Sequence, residues 1–121
     1  MSKNHPTERQ EQECVIDWID KAQPWLRNHT IKIHNESKCS QFIGAKLNAQ
    51  GRLAGASDLF IALPTMKYFG LFLEMKSMTG KPTKLQLEFL ERMNKIGYFA
   101  VCCHGADNAI ATIRAYLENK L

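Results

Sequence analysis

Two apolar segments that lie close together in the chain restrict its possible folds more than any other feature. They are "SDLFIAL" (57–63) and "GLFLEMK" (70–76), joined by "PTMKYF". Both are short and rich in the branched and aromatic residues that favour strands, so together they predict an antiparallel β-hairpin. A turn centred near Met66 places Phe60 opposite Phe72 and Ala62 opposite Gly70.

The same register gathers charged side chains at one end of the hairpin. Asp58 lies opposite Glu74, and the period of two in a strand puts Lys76 on the same face, just beyond Glu74. Opposed side chains lie about 4.5–5.5 Å apart at Cβ, where like charges are destabilising. Carboxylate oxygens without sulfur suit a hard cation such as Mg²⁺ or Mn²⁺. The sequence therefore predicts a metal site at this end of the hairpin.

The other segments predict helices and strands around the hairpin. Thr7 caps a helix that runs to about Trp25, "TIKIH" (30–34) is a short strand, and "QFIGAKLNAQ" has room for a short helix. Thr83 caps a helix that ends at Gly97, with Leu87, Leu90 and Met93 on its apolar face; "YFAVCC" is a strand, and "ADNAIATIRAYLEN" is a closing helix. The helical crossover between the last two strands makes them parallel. We expect an α/β fold with a mixed sheet.

Length, composition and charge limit the functional classes. A chain of 121 residues with 45% apolar residues suits one domain spanning 1–121. The chain has neither an apolar run long enough for a membrane span nor a secretory signal, so we expect a cytoplasmic protein without a membrane partner. The absence of a C-x-x-C pair argues against zinc. A net charge of +4 and the basic stretch at 35–55 permit contact with nucleic acid.

The polar residues, taken in order, resemble the PD-(D/E)xK nuclease superfamily, and in particular its VRR-NUC branch of virus-type replication and repair nucleases. The matching positions are Glu8 in the first helix, Asp58 in "GASDLF", Glu74 and Lys76 in "LEMK", and Gln86 in "KLQLEFL". The resemblance extends from about residue 8 to residue 117. Ser57 stands where the superfamily has proline, a change that removes no metal ligand.

The resemblance implies a restriction-endonuclease-like fold and metal-dependent cleavage of DNA. Asp58, Glu74, the Met75 carbonyl and Glu8 are the implied ligands of Mg²⁺ or Mn²⁺. It also implies that Lys76 orients or deprotonates the attacking water, and that Gln86 positions Lys76 or the water. The implied phosphate contacts are Lys38, Lys46, Arg52, Lys81 and Lys84.

The resemblance also suggests the substrate and the assembly. Stand-alone members of the branch resemble Holliday-junction resolvases, which act as dimers because two symmetric strands must be cut. We therefore expect branched or duplex DNA as substrate and a homodimer, in a bacterium or a phage-infected cell. Two other functions are open: a nucleic-acid-binding module without catalysis, and a flap-type nuclease subunit of a larger assembly.

Two residue assignments are also open at this point. The acid of the first helix is Glu8, Glu11 or Glu13. The resemblance favours Glu8, because Gln12, one turn later, fits the family's E-x-x-x-(E/Q) spacing. The segment from Thr83 to Gln86 also matches a capping box, in which Gln86 serves only the backbone N–H of Thr83.

Overall fold

The structure, a computed structural model, describes residues 5–34 and 41–121. Its helices are α1 (Glu8–Ala22), α2 (Gln41–Ala49), α3 (Lys84–Lys95) and α4 (Ala106–Leu117), with a 3₁₀ helix at Pro24–His29. Its strands are β1 (Thr30–Lys32), β2 (Leu59–Ile61), β3 (Leu71–Lys76) and β4 (Phe99–His104). Among the predicted phosphate contacts, Lys38 lies outside the described residues.

The four strands form one mixed sheet in the order β1-β2-β3-β4. β1, β2 and β3 pair antiparallel, whereas β4 pairs with β3 in parallel after the α3 crossover. Phe60 lies opposite Phe72, as the hairpin register predicts, and their rings stack with centroids 4.4 Å apart. The predicted α/β fold with a mixed sheet between helices is confirmed.

The two faces of β3 serve different parts of the protein. Leu71, Leu73 and Met75 are fully buried in a core that includes side chains from α1 and α4. The alternate residues point to the α3 side, where the Phe72 ring lies 5.2 Å from the Phe89 ring. The molecule therefore has three layers, and residues 74 and 76 share the face that α3 covers.

The first helix ends earlier than its pattern predicts. It was expected to reach about Trp25, but α1 ends at Ala22 and the chain continues as a 3₁₀ helix from Pro24. Proline has no backbone N–H and its ring clashes with the preceding turn, so an α-helix does not continue through it. Gln23, directly before it, has a φ of −139° and leaves the helical region.

The apolar face of α3 also differs from the prediction. Leu87 is 52% exposed, whereas Phe89 and Leu90 are buried. The face turned to the sheet runs from Gln86 through Phe89 and Leu90 to Met93, which is the i, i+3, i+4, i+7 spacing of one helix side. Leu87 lies about a quarter turn away from this side, since each helical residue rotates by about 100°.

The described residues contain no helix with both the length and the apolar character needed to cross a lipid bilayer.

The loop before β2 packs against the start of α3 through Gly55. A Cβ atom at this position, where φ is +88°, would lie 2.6 Å from the carbonyl oxygen of Leu85. The loop that leads to Asp58 and the first turn of α3 are therefore in backbone contact, and a side chain would separate them.

We expect Gly55→Ala to lower the free energy of unfolding more than Gly51→Ala does. Gly51 has a similar φ of +108° but nothing within 4 Å of its Cβ position, so its variant measures the cost of positive φ alone, about 1 kcal/mol. Gly55→Ala adds a steric clash and should exceed this by at least about 1 kcal/mol. Urea unfolding measures both, and equal losses would contradict the proposed contact.

Candidate metal centre

Three carboxylates from separate parts of the chain meet at the end of β3. Glu8 begins α1, Asp58 directly precedes β2, and Glu74 lies within β3. Each offers an oxygen, and the three oxygen atoms all lie within 4.8 Å of one another. The fold therefore brings together Asp58, Glu74 and Glu8, the favoured acid of the first helix, in one carboxylate cluster.

Asp58 is held by hydrogen bonds on both sides. Its Oδ2 accepts a hydrogen bond of 2.7 Å from the backbone N–H of Met75, and its own carbonyl accepts one of 2.8 Å from Ile33. The carboxylate is thereby fixed between the end of β1 and the end of β3. It occupies the place opposite Glu74 that the hairpin register predicts, just beyond the last paired residues, Leu59 and Leu73.

Met75 offers its backbone to the site and its side chain to the core. The side chain is completely buried in the core cluster. Within a strand, the N–H and C=O of one residue point to the same edge. Because the N–H of Met75 donates to Asp58, its carbonyl lies on the Asp58 side of β3. The predicted carbonyl ligand therefore has the required direction.

Glu74 is the most deeply buried of the three acids. The residue is 1% exposed, and its Oε1 is a buried atom without a hydrogen-bond partner among the described residues. Its Oε2 accepts a hydrogen bond of 3.2 Å from Gln86 Nε2. Burial, followed by the charge of Asp58, raises the pKa of Glu74 to about 9, although Lys76 opposes the rise. Without a cation, this carboxyl is protonated at neutral pH.

These observations fit a divalent cation. A buried carboxylate oxygen without a partner is costly unless an ion or a donor satisfies it. The available atoms are hard oxygens from three carboxylates and one carbonyl, the type that Mg²⁺ and Mn²⁺ prefer. A cation bound between Asp58 and Glu74 would also remove the repulsion that raises the pKa of Glu74.

Lys76 lies beside the carboxylate cluster and is 8% exposed. Its Nζ is 3.7 Å from Glu8 Oε2 and 3.9 Å from Glu74 Oε2. The lysine therefore bridges the acid of α1 and the acid of its own strand. Its amine lies between the buried carboxylate of Glu74 and the exposed carboxylate of Glu8.

Gln86 forms the predicted capping box and also contacts an acid of the site. Its Oε1 accepts a hydrogen bond of 2.8 Å from the backbone N–H of Thr83, while the Thr83 hydroxyl accepts one from the N–H of Gln86. This is the predicted capping box, and the remaining Nε2 donates to Glu74. Within the site, Gln86 thus donates a hydrogen bond to Glu74, whereas the resemblance implied a role in positioning Lys76 or water.

The geometry separates the three candidate acids of α1. Glu8 belongs to the carboxylate cluster. Glu11 is buried, and its Oε1 accepts a hydrogen bond of 3.1 Å from the N–H of Ala106 at the start of α4. Glu13 is exposed and pairs with Arg9 at 3.5 Å. One acid therefore faces the site, one caps α4, and one lies on the surface.

The predicted phosphate contacts have different surroundings. Lys46, Lys81 and Lys84 are exposed, and the last two lie at the start of α3, the helix that carries Gln86. Arg52 is half-buried and donates a hydrogen bond of 2.9 Å to Asn48 at the end of α2. Part of its guanidinium is thus used within the protein.

Two neighbours of the site were not predicted from the sequence. The parallel register puts Cys102 beside Glu74 and His104 beside Lys76, and His104 Nε2 lies 2.9 Å from the carbonyl oxygen of Gly80. Burial, and next the charge of Glu74, raise the pKa of the Cys102 thiol to about 11, so it stays protonated and is a poor ligand. Only the pairing of β3 with β4 reveals these positions.

We expect metal-free Glu74→Gln to be more stable than wild type at pH 8, by on the order of 2 kcal/mol. Below its ordinary pKa of 4.5, Glu74 is protonated in both the folded and the unfolded chain. Between this value and about 9, only the unfolded chain releases the proton, so wild-type stability falls as the pH rises. Denaturant unfolding in EDTA at pH 5 and pH 8 measures the difference.

Glu88→Gln, at an exposed position of α3, is the matched control and should follow wild type at both pH values. Added Mg²⁺ should then stabilise wild type and leave Glu74→Gln unchanged, since a ligand stabilises only the form that binds it. Parallel pH curves for wild type and Glu74→Gln would contradict this account of Glu74.

Gln86→Ala and Thr83→Ala separate capping from support of the metal ligand. Each removes half of the capping box and should lower the stability by about 1 kcal/mol. Gln86→Ala alone removes the hydrogen bond to Glu74, so we expect it to weaken Mn²⁺ binding by about tenfold while Thr83→Ala does not. Isothermal titration calorimetry measures the affinities, and equal affinities in the two variants would contradict the support role.

Comparison with known proteins agrees with this geometry. The VRR-NUC domain family matches residues 5–107. A solved structure of a protein described as "VRR_NUC domain protein" has 29% sequence identity and a TM-score of 0.79, covering 95% of this chain and 91% of its own. No match is found among curated proteins. The chain belongs to the VRR-NUC family, and this membership makes it a nuclease of the PD-(D/E)xK type.

Proposed function

We propose that this protein is a metal-dependent, structure-selective DNA endonuclease that acts on branched DNA, in the manner of a Holliday-junction resolvase. It would serve DNA replication, recombination or repair in the cytoplasm of a bacterium or phage-infected cell. The catalytic part of the proposal depends most on Oε1 of Glu74, which is buried and has no hydrogen-bond partner among the described residues. Glu74 lies close to Asp58, Glu8 and Lys76.

Asp58, Glu74, the Met75 carbonyl and Glu8 are the proposed ligands of Mg²⁺ or Mn²⁺. When bound, such an ion supplies a Lewis acid for the scissile phosphate and lowers the pKa of a water molecule. Two of the proposed ligands are held in place without a cation, because Asp58 accepts a hydrogen bond from the N–H of Met75 and Glu74 accepts one from Gln86. Preorganisation of this kind reduces the reorganisation required during the reaction.

The reaction is the hydrolysis of a phosphodiester. The water oxygen forms a bond to phosphorus, the bond to the 3′ oxygen breaks, and the leaving oxygen takes up a proton. Lys76, placed between Glu8 and Glu74, would donate hydrogen bonds to the attacking water or to the phosphate oxygens as negative charge develops. Gln86 keeps Glu74 in the orientation that leaves Oε1 available.

DNA contact is proposed for the basic side chains near the start of α3 and on α2. Lys81 and Lys84 are exposed next to the turn that carries Gln86, and Lys46 is exposed on α2. Contacts of lysine with phosphate provide affinity and orientation without reading sequence. Lys38 and Arg52 complete the proposed set.

We further propose that the active protein is a homodimer with two-fold symmetry. Among its described residues the chain has one cluster of three carboxylates, formed by Glu8, Asp58 and Glu74. Paired cuts in a four-way junction therefore require two chains. A two-fold axis between protomers would match the symmetry of such a junction.

Wild type should cut labelled four-way junction DNA faster than linear duplex when Mg²⁺ or Mn²⁺ is present. Lys76→Ala and Glu74→Ala should each lower the cleavage rate by about 10²-fold or more, because each removes a group that acts on the reacting phosphate. Gel electrophoresis of the products under single-turnover conditions gives the rates. Fluorescence anisotropy verifies that the variants still bind DNA.

Lys95→Ala and Glu91→Ala are matched controls, since these residues form an exposed ion pair of 3.1 Å on α3. Both controls should cut like wild type. If wild type fails to cut every DNA structure with either metal, and Glu74→Ala leaves metal affinity unchanged, the catalytic proposal is wrong. Cuts placed symmetrically across the junction would support the dimer, and a single cut per junction would contradict it.

A further inference from the structure

A cavity of about 450 Å³ lies between α1, the loop that follows β3, and the start of α4. This volume lies within the roughly 300–1,000 Å³ typical of small-ligand pockets. Apolar groups of Pro6 and Met78 line it together with the ring of His104. Two carboxylates, of Glu11 and Asp107, provide most of its charge. None of these residues belongs to the proposed metal ligands.

Gly105 allows two of the lining side chains to pack closely against the backbone. A Cβ atom at Gly105 would lie 2.8 Å from the Sδ of Met78 and 3.2 Å from the Oε2 of Glu11. Met78 and Glu11 therefore both contact this point of the cavity wall, and a side chain here would displace them. The φ of +85° at this position also disfavours any other residue.

The cavity adjoins the catalytic residues through three connections. Glu11 follows Glu8 by one helical turn on α1. His104 pairs with Lys76 in the parallel ladder of β3 and β4. The N–H of Gly105 donates a hydrogen bond of 2.9 Å to the carbonyl of Lys76. These contacts bring the cavity to the Lys76 end of β3. We therefore place it within a few nucleotides of a phosphate bound at the cluster of Glu8, Asp58 and Glu74.

The charge in the cavity selects which part of that nucleotide fits. The carboxylates of Glu11 and Asp107 repel a phosphate. A base is neutral, and its flat faces suit the Met78 side chain and the imidazole of His104. Glu11 uses Oε1 to cap α4, and within the described residues no hydrogen bond to Oε2 is found. This second oxygen is an acceptor suited to the amino group of a base.

We propose that the cavity holds one unstacked nucleobase of the DNA next to the scissile phosphate, with a preference for bases that carry an amino group. This inference depends on the proposed nuclease function and adds a substrate class to it: DNA with an unpaired nucleotide beside the cut. Removing a base from a duplex costs a few kcal/mol, and the cost is least where the base is already unpaired. Branched DNA supplies such nucleotides, which gives structure selectivity a physical basis in this cavity.

The first test replaces single nucleotides near the cut with a tetrahydrofuran abasic residue. Wild type should cut unmodified branched DNA normally and lose about tenfold in rate when one particular position within three nucleotides of the cut lacks its base. Met78→Ala should cut the abasic and unmodified substrates at more nearly equal rates, because the contact with the base is already weakened. Met66→Ala, a methionine that is 93% exposed outside the cavity, should retain the wild-type ratio.

The second test concerns the identity of the base. At the sensitive position, wild type should prefer cytosine over thymine by about fivefold, because a carboxylate accepts a hydrogen bond from the cytosine amino group. Glu11→Gln keeps an oxygen for the N–H of Ala106 and replaces the other with an amide, so the preference should fall toward equality. If Glu11→Gln does not fold, Met78→Ala still tests the cavity, because Met78 is an exposed residue in a loop.

A binding measurement is independent of cleavage. 2-Aminopurine placed at the sensitive position becomes more fluorescent when it leaves the base stack, and wild type in EDTA should raise its emission more than Met78→Ala does. Failure of wild type to cut any unmodified DNA would overturn the nuclease proposal itself. Normal cleavage with equal rates for every abasic substrate, or no change in 2-aminopurine emission, would overturn the base cavity alone.

Discussion

The carboxylate of Glu74 is carried into the interior at the end of β3, and the free energy required to bury it determines how its neighbours are arranged. Burial and the adjacent Asp58 raise the pKa of this group to about 9. Gln86 donates a hydrogen bond to one oxygen, while the other has no partner among the described residues. A buried carboxylate with these surroundings is stable only when it is protonated or when a cation is bound. The proposed cation would therefore stabilise the ionised form of this carboxyl, which is disfavoured in the metal-free protein.

The alternation of β3 joins this site to the hydrophobic core. Met75 places its side chain in the core and its backbone at the site, while Glu74 and Lys76 on either side of it face α3. A shift of this strand by one residue would exchange the two faces and expose the core residues to solvent. The packing of Leu71, Leu73 and Met75 therefore fixes the position of Glu74 and Lys76, the proposed catalytic residues of this strand.

Two helices add their site residues from their first turns, and a capping box begins each helix. Thr7 and Gln10 form one box at the start of α1, and Thr83 and Gln86 form the other at the start of α3. A capping box fixes the residue at which the helix starts and thereby the direction of its first side chains. Glu8 follows directly after its cap, whereas Gln86 is itself part of the box that positions it.

Much of the site was readable from the sequence because its signals are local. The turn between the two hairpin strands fixes the register that sets Asp58 near Glu74, and the E-x-K spacing puts Glu74 and Lys76 on one face by the geometry of a strand. The helical crossover predicted parallel β3 and β4. The start of α3 was predicted from Thr83, and the end of α1 was missed at Pro24 although the sequence contains that signal.

The order of the elements, the hairpin register and the acids available to the site follow from the amino-acid sequence. Packing in three dimensions sets Glu8 near Asp58 and Glu74 while Glu11 caps α4, and it buries Phe89 of α3 while Leu87 is exposed. It also places His104 beside Lys76 and forms the cavity next to Gly105. This difference arises because spacing along a chain specifies which residues share a face, whereas the rotation of a helix against a sheet depends on packing between residues distant in sequence.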